Sequence, residues 1–381
     1  MRTGTALTSL DSREPHGSLP RTASPLVRTA LLAYTFLVVY ASLYPFSGWH
    51  SFGLSPFAYL DEKLPKYWTW FDVSINVIGY IPFGMLLVLA GYPLLRRRWA
   101  FVAGLCFGAL LSAGMEAIQT YLPTRVASLL DLYTNCLGLF IGLILGAALT
   151  PLLLEKDMLH RIRTDWFVAR SSGGLIVMAL WPLAQIYPQG YLFGHGQLVP
   201  RLSSWLTEYA GVQIDVGSWL RQGVELSTEQ YWLSETLISA CGLTGAALMV
   251  LCLLKQRAPK VWLLGFLMVA TLSIKSLALA LLFRPEHAFS WLSPGAQAGL
   301  LVGIMMLYGL AFVPQKIQRH LAIIMLSISL IILNIVPENP YFIDTLSTWV
   351  QGKFLNFNGA ALFLSQLWPW LALWFLLHFE A

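Results

Sequence analysis

About ten apolar runs divide this chain, each close to the ~20 helical residues that cross a hydrocarbon core. They centre on residues 26–45, 73–94, 99–121, 129–153, 167–187, 232–254, 261–283, 296–314, 319–336 and 359–378. No other feature limits the fold so tightly. In lipid every backbone amide and carbonyl must be paired within the protein, which leaves helices or closed barrels. The alternation that a membrane barrel requires is absent from the runs. Charge agrees: 57% of residues are hydrophobic and only 11% charged, against about 25% charged in a soluble domain. The expectation is an all-α, polytopic integral membrane protein with about ten transmembrane helices.

Basic residues in the connections orient such a bundle, because they collect on the cytoplasmic side. Of the 24 Lys and Arg, 16 fall on the side of the N-terminus and 7 on the other, with Lys275 inside a run. Both termini are therefore expected in the cytoplasm. The net charge of +5 follows from this distribution. It gives no reason to expect nucleic acid, since the cations are scattered among short connections. The four cysteines fall within runs and form no CxxC pair, so neither a disulfide framework nor a zinc site is expected.

The chain divides at the charged stretch "EKDMLHRIRTD", residues 155–165. Residues 1–24 are polar and read as a disordered cytoplasmic tail. Residues 25–154 make a four-helix membrane domain, and 155–381 a six-helix membrane region. The latter contains a long outer segment, 188–231, in which Leu202, Trp205, Leu206 and Tyr209 recur at helical spacing. That spacing suits a helix lying on the membrane surface, or a lid packed over other helices.

Two stretches of the front domain share a polar pattern. "TWFDVSINVIGYIPFG" and "ASLLDLYTNCLGLFIG", aligned on Asp72 and Asp131, agree at three further places. These are a hydroxyl residue three before (Thr69, Ser128), an Asn four after (Asn76, Asn135) and a Gly seven after (Gly79, Gly138). The S/T-x-x-D spacing is a relative of the capping box, which a helix start wants in any case. Capping does not account for the asparagines, which lie one turn deeper on the same helix face. They serve either as helix–helix hydrogen bonds or as part of a site. The glycines Gly79, Gly84, Gly138 and Gly142 suit close helix packing.

The run between them carries Ser112, Glu116 and Gln119 on one stripe. Glu116 lies about 10 Å below the end of its helix at 1.5 Å per residue, a depth at which an ionisable group marks function by default. The second and fourth runs begin where the third ends. Asp72, Asn76, Ser112, Glu116, Gln119, Arg125, Asp131 and Asn135 are therefore expected to line one polar pocket opening to the outer leaflet.

In order and spacing, these residues resemble the VanZ-like membrane proteins. The matching positions are Asp72, Asn76, Gly79, Pro82 and Gly84, then Ser112, Glu116 and Gln119, then Arg125, Ser128, Asp131, Asn135, Gly138 and Gly142. The resemblance covers roughly residues 30–150 and implies the bacterial cytoplasmic (inner) membrane. The family's namesake accompanies glycopeptide resistance and protects against teicoplanin, a lipid-bearing glycopeptide.

Three functions stand open at this point. In the first, the pocket binds or shields a polar head group, from a lipid-linked envelope glycan precursor or an amphipathic antibiotic. In the second, an integral-membrane enzyme acts on such a substrate, with Glu116 as general base or its carboxylates around a divalent cation. In the third, Glu116 or Lys275 couples transport to an ion. No cofactor or resident metal is expected under the first, and membrane lipids are the expected partners. Lys275 invites a pair with Glu235, and His195 and His287 read as solvated loop residues.

Overall fold

The computed structural model describes residues 25–61, 63–65, 67–68, 70–95, 98–155, 158–169, 171–283, 285–337 and 355–379. The expected tail, 1–24, lies outside the described residues, as do Thr69 and several of the basic residues used above, Arg96 and Arg97 among them. Among the described residues the chain is helical, and its only β pairing is an isolated bridge between Phe167 and Leu254.

The front group is α1 (Pro25–Leu43), α2 (Trp70–Gly91), α3 (Arg98–Gln119) and α4 (Leu129–Thr150). A short helix, α5 (Met158–Trp166), leads to α6 (Ser172–Ala184), α7 (Val199–Ala210) and α8 (Val216–Leu220). The rear group continues with α9 (Thr228–Leu253), α10 (Lys260–Leu282), α11 (Pro294–Leu310) and α12 (Gln315–Ile335), and α13 (Leu355–His378) closes it.

Eight of these are long and apolar enough to cross a membrane: α1 to α4, α9, α10, α12 and α13. The remaining two expected spans are shorter. The run at 167–187 folds as α6, with 13 residues, and the run at 296–314 as α11, with 17. At 1.5 Å per residue α6 covers about 20 Å, less than the ~30 Å hydrocarbon core. Hydropathy misses this because the residues that end α6 are themselves oily. Beyond Gln185 the chain turns through Phe193 (φ 58°) and Gly196 (φ 88°), a left-handed backbone that no α-helix contains. Gly196 is required there twice over, since a Cβ would also collide with Leu330 and Pro369.

Packing in each group depends on small residues, as expected where lipid removes the hydrophobic drive to associate. At the α2–α4 crossing, a Cβ on Gly84 would fall on the Leu139 carbonyl, and one on Gly138 or Gly142 on the carbonyls of Val77 and Ile81. Gly79 differs. Nothing lies within 4 Å of its absent Cβ, and its carbonyl instead accepts from the Tyr34 hydroxyl of α1 at 2.8 Å. In the rear group α9 is the buried axis, enclosed from Ile238 to Leu253. Gly295, Gly299 and Gly303 of α11 press on its Glu235, Ser239 and Ala240.

The two groups touch along α1 and α13. The Tyr40 and Phe363 rings lie 5.4 Å apart, and a Cβ on Gly359 would strike the Tyr44 ring. Helix α7 has no buried residue, and Leu202, Trp205, Leu206 and Tyr209 are all exposed. These four side chains thus stand largely clear of the helices that α7 adjoins, α8 and α12.

Candidate functional site

The polar residues of the front group meet where α2 and α4 begin and α3 ends. Asn76 on α2 donates its Nδ2 to Asp131 Oδ1 on α4 at 2.8 Å, and to Thr134 Oγ1 at 3.3 Å. Asn135, one turn below Asp131, donates to Ser112 Oγ on α3 at 3.0 Å. Helix α4 thus holds both neighbours by one amide each, the arrangement expected of asparagine in a low-dielectric interior.

Glu116 is 3% exposed. Its Oε2 accepts from the Ser128 amide at 2.9 Å, while Ser128 Oγ caps α4 by accepting from Leu130 N at 3.2 Å. In a capping box the third helical residue, here Asp131, would take the amide of the cap. Glu116 takes it instead, from another helix, and Asp131 is left to face Asn76. Capping is thus half of the explanation of the S-x-x-D pattern. The Asp131 carboxylate is tied to α2, and its own helix start is completed by α3.

Gln119 and Arg125 turn away from this cluster. Gln119 Nε2 donates to the Ser42 carbonyl at 2.9 Å. Arg125 donates from Nε to Tyr44 O at 3.0 Å and from Nη2 to Ala41 O at 3.2 Å, with a further bond from Nη2 to Tyr44 O. These are the carbonyls at the C-terminal end of α1, which lack partners within their own helix. A guanidinium there also suits the negative end of the helix dipole. Burial draws Arg125 down to about 10, with Glu116 acting in the opposite sense. It remains a cation at neutral pH, committed to α1.

Sequence reasoning missed two participants. Thr134 accepts from Asn76. Tyr59, 2% exposed, donates to Ala113 O at 3.1 Å and seats the 46–61 segment over α3. Burial, and then the nearby Glu116, push the Tyr59 phenol above its ordinary range. One aromatic among many in that segment gives no periodic signal.

Two buried groups of the cluster remain unmet, the Asn135 Oδ1 acceptor and the Tyr80 hydroxyl beside Ser112. Asn135 is buried, and its Oδ1 has no hydrogen-bond partner. Asp72 and Asp131 lie within electrostatic reach of each other and are partly exposed. With Arg125 directed into α1, its guanidinium is not aimed into the cluster.

This four-helix segment can now be placed. Residues 29–150 match the VanZ/LLP1 family model. Every side chain named in the front-group site falls within the VanZ/LLP1 region, and α5 to α13 lie beyond it. No curated protein matches the chain, and no solved structure does.

Beyond the VanZ/LLP1 region the expected Lys275–Glu235 pair does not form. Lys275 is 1% exposed and its Nζ has no hydrogen-bond partner, whereas Glu235 Oε1 accepts from the Ser293 hydroxyl that caps α11. The α11 start claims the carboxylate because Gly295 lets that backbone come against Glu235. His195 also departs from expectation, being 3% exposed and not solvated.

Proposed function

We propose that the acceptor cluster of the VanZ/LLP1 region binds or shields a hydrogen-bond-donating head group at the outer leaflet of a bacterial cytoplasmic membrane. The excess of basic residues on the side of the N-terminus supports a topology with both termini inside. The end of the bundle carrying Asp72, Asp131 and Asn135 then faces outward. The candidate ligands are the hydroxyls and amines of a lipid-linked envelope glycan precursor, or of a lipid-bearing glycopeptide antibiotic.

One observation carries this reading: the buried Asn135 Oδ1 without a partner, beside two partly exposed carboxylates. Leaving such an acceptor dry costs about 1–3 kcal/mol, and a ligand hydroxyl or ammonium removes that cost. Phosphate is the poorer fit, because the cation nearest the cluster is bonded to α1 carbonyls. Glu116 acts here as a positioning residue, fixing the start of α4 through Ser128.

The test is to identify the lipids and glycans that copurify with the intact protein, by mass spectrometry, and to repeat it with Asp131→Ala and Asn135→Leu. A species rich in hydroxyl or amine groups should be depleted in both. Equal occupancy in wild type and both variants would remove the cluster as its site.

A further inference from the structure

The rear group contains a polar cavity of its own. Helix α6 stops short of a full crossing, and residues 185–198 follow it without regular structure. Six consecutive residues of that stretch, 191–196, are buried. Irregular backbone at membrane depth survives only where protein encloses it or where it lines a wet cavity. This stretch does both. A cavity of about 250 Å³ opens against it, lined by Gln189, Gln197, Arg201, Ser204, Ser365 and Gln366 among others. Ser365 and Gln366 belong to α13, about 15 Å along that helix from its start at 1.5 Å per residue.

Behind the lining sits His195. Its imidazole is bracketed by Gln185 and by Gln189, whose Nε2 lies 2.6 Å from the ring Nδ1 and also reaches Ser365 Oγ. A neutral imidazole has one donor and one acceptor, so one amide accepts from the ring and the other donates to it. Burial, and then the Lys275 amine, pull His195 down to about 3, so the ring stays neutral. Buried amide atoms of Gln185, Gln189 and Gln197 remain without protein partners. Of these, Gln189 and Gln197 line the cavity, so its wall offers unmet amide groups to a ligand.

The charge is one-sided. No Asp or Glu lines the cavity. Arg201 stands exposed at its mouth, and the Lys275 amine lies within electrostatic reach of His195. A volume below the ~300 Å³ of the smallest drug-sized pockets admits a head group and not a whole amphiphile.

We propose that this cavity is a second head-group site, taking an anionic, hydroxyl-bearing head group of the glycerophosphate or sugar-phosphate class. Arg201 binds the anionic group, while Gln189, Gln197 and Gln366 bind hydroxyls. Its preference is opposite to the one proposed for the VanZ/LLP1 cluster, where the unmet Asn135 Oδ1 calls for a donor. The Tyr40–Phe363 contact between α1 and α13 places it next to that region, since the neighbouring Leu362 lines the cavity.

The experiment uses the full chain in nanodiscs of phosphatidylcholine, with native mass spectrometry reading two probes, phosphatidylglycerol and free glycerol 3-phosphate. Saturable binding is expected, weakened about tenfold or more in Arg201→Ala and in Gln197→Leu, as loss of a charge-assisted or buried hydrogen bond implies. Asp131→Ala and the exposed Arg257→Ala should retain it. Binding of phosphatidylglycerol alone identifies a lipid as the source, and binding of both probes shows that the head group suffices. Arg201 is exposed, so its truncation leaves the fold intact, and a thermal transition on each variant verifies this. The proposal is overturned if wild type binds neither probe, or if both cavity variants bind within about twofold of wild type. Loss in Asp131→Ala alone overturns it as well, by moving the ligand to the other cluster.

Discussion

Asn76 and Asp131, 55 residues apart in sequence, meet side chain to side chain at 2.8 Å and join α2 to α4. The bond belongs to a pair of helices whose glycines already bring their backbones together, so it is made in a space that neither helix can leave. Its removal should therefore be costly in proportion to burial. Asn76→Ala is expected to lower stability by about 1–3 kcal/mol, since it leaves the Asp131 carboxylate short of a donor. A double-mutant cycle with Asp131→Ala, read from thermal unfolding in detergent, should give a coupling of about 0.5–2 kcal/mol. Additivity of the two losses would show that the contact carries no energy.

Glu116→Gln keeps an oxygen for the Ser128 amide and should stay within about 1 kcal/mol of wild type. Glu116→Ala strips the amide of its partner and opens a space, and should cost about 2–4 kcal/mol. If glutamine proved as damaging as alanine in the melting curve, the carboxylate would have a task beyond accepting one hydrogen bond.

The glycines separate cleanly. Gly142→Ala places a methyl on the Ile81 carbonyl and should prevent the α2–α4 crossing, seen as loss of monodisperse protein on size exclusion. Gly79→Ala meets nothing within 4 Å. It should be neutral or stabilising by up to about 1 kcal/mol, from helix propensity alone.

Arg125→Ala should loosen the end of α1, raising hydrogen exchange at residues 41–44 while the α4 amides stay protected. Arg125→Lys supplies a charge but not the fork of donors, and should recover only part of the protection. Unchanged exchange in both variants would mean that the α1 carbonyls are satisfied without the guanidinium.

His195 makes stability depend on pH. Its folded value of about 3 lies below the ordinary 6.5, so between those limits the unfolded chain binds the extra proton. Stability then rises with pH across that window, and the contribution is complete above 6.5 and falls away as pH drops toward 3. His195→Gln, which keeps an amide among amides, should flatten the acid limb of the melting temperature between pH 4 and about 6.5. An unaltered limb would show that other groups set it.

Much of this was legible before any coordinates. The apolar runs gave the helices, and the aspartate–asparagine repeat marked where α2 and α4 begin, because an amide in lipid must find a partner and so stands out. Direction was not legible. Gln119 and Arg125 share the stripe of Glu116 or its helix end, yet both face the open carbonyls of α1, a demand that residues 41–44 do not advertise. Nor does hydropathy distinguish a buried bend from a crossing, so the end of α6 at Gln185 was hidden inside an oily run, while Gln189 and His195 lay in a segment that reads as an outer connection. Lys275 looked like half of a pair because sequence supplies charges and no neighbours.

Helix α1 belongs to the front group by order along the chain, yet its Tyr40 and the Tyr44 just beyond it rest on α13. A shortened protein ending near residue 154 would bare those rings to lipid and lose one wall beside the α1 terminus that Arg125 holds. The family-matched third of this chain is therefore not a portable module. Its first helix waits on α13 to be seated.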